Sequence, residues 1–280
     1  MNYISAISQA RKDDISEISS FFENAAFIHR HLDWHSTLDW LGSQPFLMLK
    51  ANNEIQAILA APPDPPHTAW IHCFATRDNS VLDAAWKALF AEASITLASL
   101  NAIPYAVGLE DWFCTLLLNN GFQAKQNIVV LSWNHHVQPI GEASMNLLLR
   151  PMLESDLDEV ANVDAHSFEK QWVTSESSIR LAYLQCQHKT VAEIDGKLVG
   201  YELSTANQYS AHLARLAVLP EYRRGMIARR LVTDMLRHFS RQGVLQVTVN
   251  TQSDNSASIN LYKGLGFELT GETIPVLSFG

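Results

Sequence analysis

Two periods of apolar residues alternate along this chain, one typical of amphipathic helices and one typical of buried strands. In the C-terminal half they predict a strand, two helices, a hairpin, a further strand, a helix, a strand, a helix and a last strand. These predicted elements lie at 147–150, 155–168, 176–184, 190–194, 198–203, 212–219, 227–239, 244–249 and 256–265, followed by a terminal strand. This alternation predicts a mixed α/β fold.

The N-terminal half repeats this order of elements. Three features recur at offsets of 142 to 145 residues: a helix start at Asp14 and Asp156, a hairpin turn at Asn53 and Gly196, and a glycine–phenylalanine pair beginning at Gly121 and Gly266. One nearly constant offset indicates a duplicated domain. We therefore predict two tandem copies at residues 1–134 and 146–280, joined by the polar stretch Asn134–Met145.

The stretch from Leu216 to Ala228 carries the most specific chemistry. A run of Leu, Ala and Val predicts a buried strand that ends at Pro220. A basic turn containing Gly225 then leads into an amphipathic helix, and Gly243 marks the end of that helix. Unpaired N–H groups and the helix dipole favour an anion at a helix N-terminus. The stretch predicts a phosphate site, such as one for the pyrophosphate of a nucleotide-like cofactor.

This stretch resembles the acetyl-CoA-binding segment of the GNAT superfamily of N-acetyltransferases, V-x-P-x-x followed by R/Q-x-x-G-x-G/A. The matching positions hold Val218, Pro220, Arg223 and Ala228. The central glycine is replaced by Met226, and Gly225 stands one residue early. We expect Met226 to turn away from phosphate and pack against the sheet or the first domain, while Gly225 supplies the relaxed backbone.

A second segment, Asp254–Phe267, resembles the family pattern N-x-x-A-x-x-L-Y-x-x-x-G-F. The matching positions hold Asn255, Leu261, Tyr262, Gly266 and Phe267, whereas Ser258 replaces the alanine. The resemblance covers about residues 146 to 280. It implies a mixed sheet whose two central strands splay apart to admit pantetheine, and acetyl-CoA as the co-substrate.

The resemblance also implies how acetyl-CoA is held. Backbone groups of Leu216, Ala217 and Val218 would pair with pantetheine, and the Val218 N–H could polarise the acetyl carbonyl. Backbone donors and arginine side chains would hold the pyrophosphate. The residues implied there are Arg223, Arg224, Gly225, Met226, Ile227, Ala228 and Arg229, whereas Arg230 is expected on a solvated face.

Tyr262 stands where the family places the general acid that protonates the departing thiolate. The alternative is a packed aromatic residue on an amphipathic helix. Asn255, at the start of the same helix, is interpreted as an N-cap, a cofactor contact, or both.

Two residues, His212 and Glu202, are candidates for the general base. The bacterial ribosomal-protein alanine acetyltransferases use a glutamate on the fifth strand, but the matching residue here is Asn250, which has no basicity. His212 precedes Leu216 by four residues, so strand alternation predicts that both lie on one face. A histidine also has a suitable free pKa. Glu202 on the neighbouring hairpin strand is the second candidate, and a water relay is the third possibility.

The N-terminal copy lacks these residues. Its segment Arg77–Ala85 has no glycine, and Asp78 and Asp83 would repel pyrophosphate. Leu117 takes the place of Tyr262. We therefore expect one acetyl-CoA per chain, in residues 146–280, and a structural or substrate-shaping role for residues 1–134.

Composition narrows the class of protein further. The 280 residues are 47% hydrophobic, which is typical of a folded globular chain. We see no apolar run of the ~20 residues that a membrane span needs, and no secretory signal. Three scattered cysteines favour reduced thiols, hence a cytoplasmic protein. The net charge of −9 argues against nucleic acid and is compatible with an amine substrate.

Other polar and aromatic clusters have simpler interpretations. His31 and His35 have helical metal-ligand spacing but no third ligand, so we expect no metal. Large aromatic residues are interpreted as core or pocket walls. These are Trp34, Trp40, Phe168 and Trp172, the last two near the expected acceptor site.

The sequence therefore predicts an acetyl-CoA-dependent N-acetyltransferase that transfers acetyl directly to a small-molecule or peptide amine. The alternative is an acyl-CoA-binding sensor or interaction module with little turnover. Neither the motifs nor the charge identifies the acceptor or the oligomeric state.

Overall fold

The computed structural model describes residues 5–134 and 146–280. The chain divides into two compact units of mixed α/β structure. The first holds the described residues up to Gln126 together with Ile274–Gly280, and the second holds the described residues of Asn127–Thr273. The predicted linker lies outside the described residues apart from Asn134.

The described part of the first unit contains three α-helices and most of the first eight strands. Its elements are β1 (Ser5–Gln9), α1 (Ile15–Asn24), β2 (Phe27–Arg30), β3 (Phe46–Ala51), β4 (Glu54–Ala60), β5 (Thr68–Trp70), β6 (Cys73–Thr76), α2 (Leu82–Ser99), β7 (Ile103–Val107), α3 (Asp111–Asn119) and the start of β8 (Gln123–Trp133). One sheet has the order β1-β3-β4-β6-β2, and β5 pairs in parallel with β7. Trp86, Phe113 and Phe74 form part of one core, and Ile18, Phe21 and Phe46 form part of another.

Four α-helices lie in the second unit, counted over its described residues. Its elements are β9 (Leu147–Pro151), α4 (Leu157–Ser167), α5 (Glu176–Gln185), β10 (His188–Ile194), β11 (Lys197–Ala206), β12 (Ser210–Val218), α6 (Ile227–Arg241), β13 (Gln246–Gln252), α7 (Ser256–Lys263) and β14 (Phe267–Ser278), whose last residues belong to the first unit. The strand order is β14-β8-β13-β12-β11-β10-β9. Helix α4 packs against β11 and β12 on one face of this sheet. Helix α6 packs on the opposite face, where Leu231, Val232 and Met235 are part of the hydrophobic core.

Helix α6 illustrates how local sequence sets an element. Ile227, Leu231, Met235 and Phe239 recur every four residues and are all buried. The helix ends at Arg241, and the predicted stop residue Gly243 follows with φ +78°. The Val244 N–H then bonds back to the Phe239 carbonyl at 3.1 Å, the bond expected of a glycine-terminated helix.

The backbone supports the duplication at single-residue detail. The hairpin β3–β4 turns through Asn52 and Asn53, and β10–β11 turns through Asp195 and Gly196; all four residues have positive φ. This is the turn that a two-residue hairpin prefers. Each hairpin also has a register shift at the equivalent place, after Leu49 and after Ala192, 143 residues apart.

The two units differ from the predicted ranges at two segments. Residues 128–133 of β8 pair with β13, so they belong to the second unit. Residues 276–278 of β14 pair with β7, so they belong to the first. The hydrophobic pattern predicted both strands, but it could not predict which distant strands they pair with.

Candidate active site

The central strands of the second unit part from one another. β12 and β13 pair in parallel from Ser210↔Gln246 to Leu213↔Val249, and both strands continue beyond that point. No pairing with β13 is found for residues 214–218 in the described part of the chain. Their backbone groups form a free strand edge, which can pair with an extended ligand. This is the splay that the family resemblance implies.

A β-bulge at Ala214 changes the expected side-chain directions. Leu203 pairs with Arg215 while Ser204 pairs with Leu213, so Ala214 is the extra residue on β12. A bulge reverses the alternation of the residues that follow it. The expectation that His212 and Leu216 share a face is therefore wrong. Leu216 packs towards α6 with Leu213, whereas His212 lies on the α4 face.

His212 lies at the last pairs before the strands part, where its partner is Thr248. Its Nδ1 is 2.8 Å from Thr248 Oγ1, and Nε2 has no hydrogen bond within the described part of the chain. Burial lowers the pKa of His212. The lowered pKa favours a neutral ring near pH 7, and the tautomer that donates through Nδ1 to Thr248 would present an unprotonated Nε2.

Glu202 occupies different surroundings on the α6 face. It is fully buried and accepts hydrogen bonds from His188 Nδ1 at 2.5 Å and Ser204 Oγ at 2.7 Å. Burial raises the pKa of Glu202, while the bond from His188 opposes that rise. Burial lowers the pKa of His188, but its hydrogen bonds with Asp234 and Glu202 outweigh this effect and raise the pKa to about 9. Glu202 is engaged in a buried ion pair beneath α6.

The α4 face holds an ionic cluster that sequence reasoning missed. Arg215 donates to Asp164 through Nε at 2.7 Å and Nη2 at 2.8 Å, and Tyr201 donates its hydroxyl to Asp164 at 2.5 Å. The Thr174 N–H also donates to Asp164, so four donors saturate the two carboxylate oxygens. A signal existed in the sequence. Asp164 continues the apolar spacing of Leu157 and Val160, so it occupies a core position of α4.

The predicted phosphate loop adopts an unexpected backbone. Positive φ falls at Arg224 (+66°) and Met226 (+65°), whereas Gly225 lies outside the left-handed region. The expectation that Gly225 relaxes the loop is therefore wrong, because Met226 itself takes the conformation that suits glycine. The expected packing of Met226 is also wrong, since its side chain is 42% exposed.

The loop ends at a helix N-terminus suited to an anion. Met226 is the N-cap of α6 and gives no side-chain cap, and the first turn contains no acidic residue. The first N–H groups of such a helix lack intrahelical partners. Ile227 is buried in the core below the loop, with Ala228 packed beside it, and together they fix the helix start.

The arginines of the loop have separate environments. Arg223 donates to the carbonyls of Ser167 at 2.8 Å and Val218 at 3.2 Å, so it tethers the loop as well as adding charge. Arg224 is exposed. A Cβ on Gly264 would lie 3.3 Å from Nη1 of Arg229, which places this guanidinium at the end of α7. Arg230 is half-buried.

Helix α7 carries the remaining motif residues. Asn255 is the N-cap, accepting from the Ser258 N–H at 3.1 Å, which confirms one of its two predicted roles. Tyr262 is 4% exposed and packs against Phe267, with ring centroids 5.6 Å apart. Its hydroxyl has no hydrogen-bond partner among the described residues, and burial raises its pKa. A buried tyrosine without a partner is available to an incoming ligand.

The equivalent edge of the first unit is closed. β6 corresponds to residues 215–218, because Thr76 pairs with Ala57 as Val218 pairs with Gly200. The other edge of β6 pairs along its whole length with β2. Asp78 caps the following turn through the Ser80 N–H at 2.8 Å, and Leu117 is fully buried. In the first unit, β2 therefore pairs with the strand edge, and the Asp78 carboxylate binds the N–H group that an anion would need.

The histidines of the first unit stack with aromatic rings. His31 stacks on Trp70 at 4.8 Å, and His35 lies 4.4 Å from the Trp40 ring. In the described ranges 5–134 and 146–280, no three His, Cys, Asp or Glu side chains are arranged to hold a metal ion. Within those same ranges, no helix is long and apolar enough to cross a bilayer.

Residues 157–267 match the model of the acetyltransferase (GNAT) family. A putative [ribosomal protein bS18]-alanine N-acetyltransferase of Bacillus subtilis is 25% identical over 123 residues, 44% of this chain and 82% of that protein. The Mycobacterium tuberculosis protein N-alpha-acetyltransferase RimI is 29% identical over 126 residues, 43% of this chain and 77% of that protein.

Solved structures extend the similarity to both units. A tandem GNAT protein from the clavulanic acid biosynthesis pathway covers 98% of this chain, and this chain covers 98% of it, with a TM-score of 0.65 at 15% identity. A GCN5-related N-acetyltransferase from Sphaerobacter thermophilus covers 98% of this chain and is itself 95% covered, with a TM-score of 0.61 at 12% identity. The chain has the fold of two tandem GNAT-like domains, and its residues 157–267 match the model of the acetyltransferase (GNAT) family.

Proposed function

We propose that this protein is an acetyl-CoA-dependent N-acetyltransferase that acts on a small-molecule or peptide amine by direct transfer. The observation that carries the proposal is the free edge of residues 214–218 leading, through a basic loop, to an uncapped helix N-terminus. An extended pantetheine followed by a pyrophosphate requires this sequence of backbone donors. Leu216, Ala217 and Val218 would hold pantetheine, and the loop from Arg223 to Ala228 with Arg229 would hold the pyrophosphate.

Acetyl-CoA supplies an activated thioester, and the protein residues manage two protons on opposite faces of the sheet. His212 lies on the α4 face, where its Nε2 would take the proton of the incoming ammonium. Tyr262 lies among the core residues on the α6 and α7 face, where its hydroxyl would protonate the departing sulfur. Burial raises the pKa of Tyr262 but also makes a nearby thiolate more basic, so proton transfer between them stays feasible. Glu202, held by His188, is the less suitable base.

The test measures release of free coenzyme A from acetyl-CoA in the presence of defined acceptors. The panel contains peptides with different N-terminal residues, alanine included, and primary amines such as spermidine and glucosamine. Tyr262→Phe should lower kcat by about 10²-fold for an accepted amine. Tyr209→Phe is the matched control, because Tyr209 is 63% exposed on a turn of the same unit. Binding of acetyl-CoA without turnover across the panel would instead support the acyl-CoA sensor.

A further inference from the structure

The segment between α4 and α5, residues 168–174, is attached to the strand that carries the free edge. Arg215 stands on β12 directly after the bulge, and its Nη2 donates to the Trp172 carbonyl at 2.5 Å. Its guanidinium carbon lies 3.6 Å from the centroid of the Phe168 ring, a cation–π contact. One side chain therefore contacts both the beginning and the middle of this α4–α5 segment.

Asp164 completes the attachment. One of its oxygens accepts from the Thr174 N–H at 2.7 Å, near the end of the segment. The same carboxylate receives both donors of Arg215 and the Tyr201 hydroxyl from β11. Asp164 has no exposed side-chain surface, so these bonds form in a site from which water is largely excluded. Such charge-assisted bonds hold geometry more tightly than exposed ones.

The residue just before the segment, Ser167, is attached to the phosphate loop. Arg223 donates to the carbonyl of Ser167, the last residue of α4, and to the carbonyl of Val218. The segment thus has one attachment to the loop and a second to β12. The α4–α5 segment also lies on the same face as His212.

We propose that Arg215 is a positioning residue that holds the α4–α5 segment as the wall of the acceptor site. This inference rests on the proposed function, because it assigns the α4 face to the acceptor amine. Arg215 acts on the segment through Asp164, Trp172 and Phe168, and does not itself carry the transferred group. Loss of these Arg215 contacts should weaken acceptor binding while leaving the acetyl-CoA site intact.

The experiment combines hydrogen exchange with kinetics on the full chain. Arg215→Lys keeps the charge but loses the two-pronged geometry, and Tyr201→Phe removes one bond to Asp164 at nearly constant volume. In both variants amide exchange within residues 168–174 should become faster. The acceptor KM should rise about tenfold or more, by analogy with other misplaced positioning groups, while the acetyl-CoA Kd stays within about twofold. Acceptor probes are an alanine-initiated peptide and spermidine.

Arg150→Lys is the matched control. Arg150 also binds two carboxylates, of Asp156 and Glu193, but it lies on β9 and should leave exchange in residues 168–174 unchanged. Unchanged exchange in the Arg215 and Tyr201 variants would overturn the proposal. So would an equal loss of acetyl-CoA and acceptor binding. If the wild type turned over no acceptor, the proposed function would fail, and exchange would still decide whether Arg215 holds the segment.

Discussion

Met226 takes the left-handed backbone conformation that Gly225, the residue before it, does not take. A left-handed conformation costs an L-residue with a side chain roughly 1–2 kcal/mol relative to glycine. The family motif places its glycine at the position of Met226. Met226 therefore has a backbone conformation that suits the motif's glycine, and the loop accepts the strain at a methionine.

Met226→Gly should raise the free energy of unfolding by about 0.5–1 kcal/mol, because relief of the strain exceeds the entropy cost of an added glycine. The acetyl-CoA Kd should stay equal or fall, since the exposed side chain leaves the loop's path unchanged. Chemical denaturation and calorimetry measure the two effects. Arg224→Gly is a matched control, because Arg224 has a similar φ but carries a charge. A folded Met226→Gly protein that no longer bound acetyl-CoA would show that the loop is misassigned.

The pH dependence of turnover should show whether His212 is the general base. Burial lowers its pKa, and a base must be unprotonated. Activity should therefore rise as pH increases towards about 6.5 and stay flat above it. The acceptor should be an amine whose own pKa lies well outside this range. His212→Gln should remove this limb and lower kcat, and Thr248→Val should shift it by removing the bond to Nδ1. A limb that persisted in His212→Gln would assign the base elsewhere.

Titration calorimetry should find one acetyl-CoA site per chain. We expect no second site in the first unit, both because Asp78 and Asp83 would repel pyrophosphate and because β2 closes the strand edge. The double variant Asp78→Asn, Asp83→Asn should therefore still bind one equivalent. Two equivalent sites in the wild type, or a second site in the double variant, would contradict this interpretation.

The first unit should lose stability in acid. Burial lowers the pKa of His31 to about 3, with a further contribution from His72, while Asp33 acts in the opposite direction. The folded state thus favours the neutral ring, and the unfolded state binds the proton first. Stability attributable to His31 is complete above about pH 6.5. It should fall by up to about 1.4 kcal/mol per pH unit between 6.5 and 3.

Denaturation curves from pH 4 to 7 test this expectation. His31→Phe keeps the stack on Trp70 but removes the titrating group, so the fall in stability should become shallower. His166→Gln is the control, because His166 is exposed on α4. Equal pH dependence in the wild type and His31→Phe would contradict the assignment.

The sequence predicted the elements better than the directions of their side chains. Local rules located the end of α6 at Gly243 and the cap at Asn255, because glycine and asparagine act within one turn of chain. The bulge at Ala214 has no such signature. It places Leu216 on the opposite face of the sheet from His212. The strand itself was predicted correctly, but the predicted direction of this side chain was wrong.

The Arg215–Asp164 pair was missed for a different reason. Both residues stand within otherwise apolar patterns, which marks each as buried but does not show its partner. The residues are 51 positions apart, and only the packing of α4 on β12 brings them together. The closure of β6 by β2 is likewise a pairing between distant segments.

The free edge of residues 214–218 has a further consequence for the protein without ligand. Unpaired strand edges are templates for pairing between molecules, and proteins usually protect them. In the first unit β2 provides this protection permanently. In the second, a bound pantetheine would provide it, so saturation with acetyl-CoA should slow self-association as well as enable turnover. Solubility of the purified protein would then report on occupancy of the site.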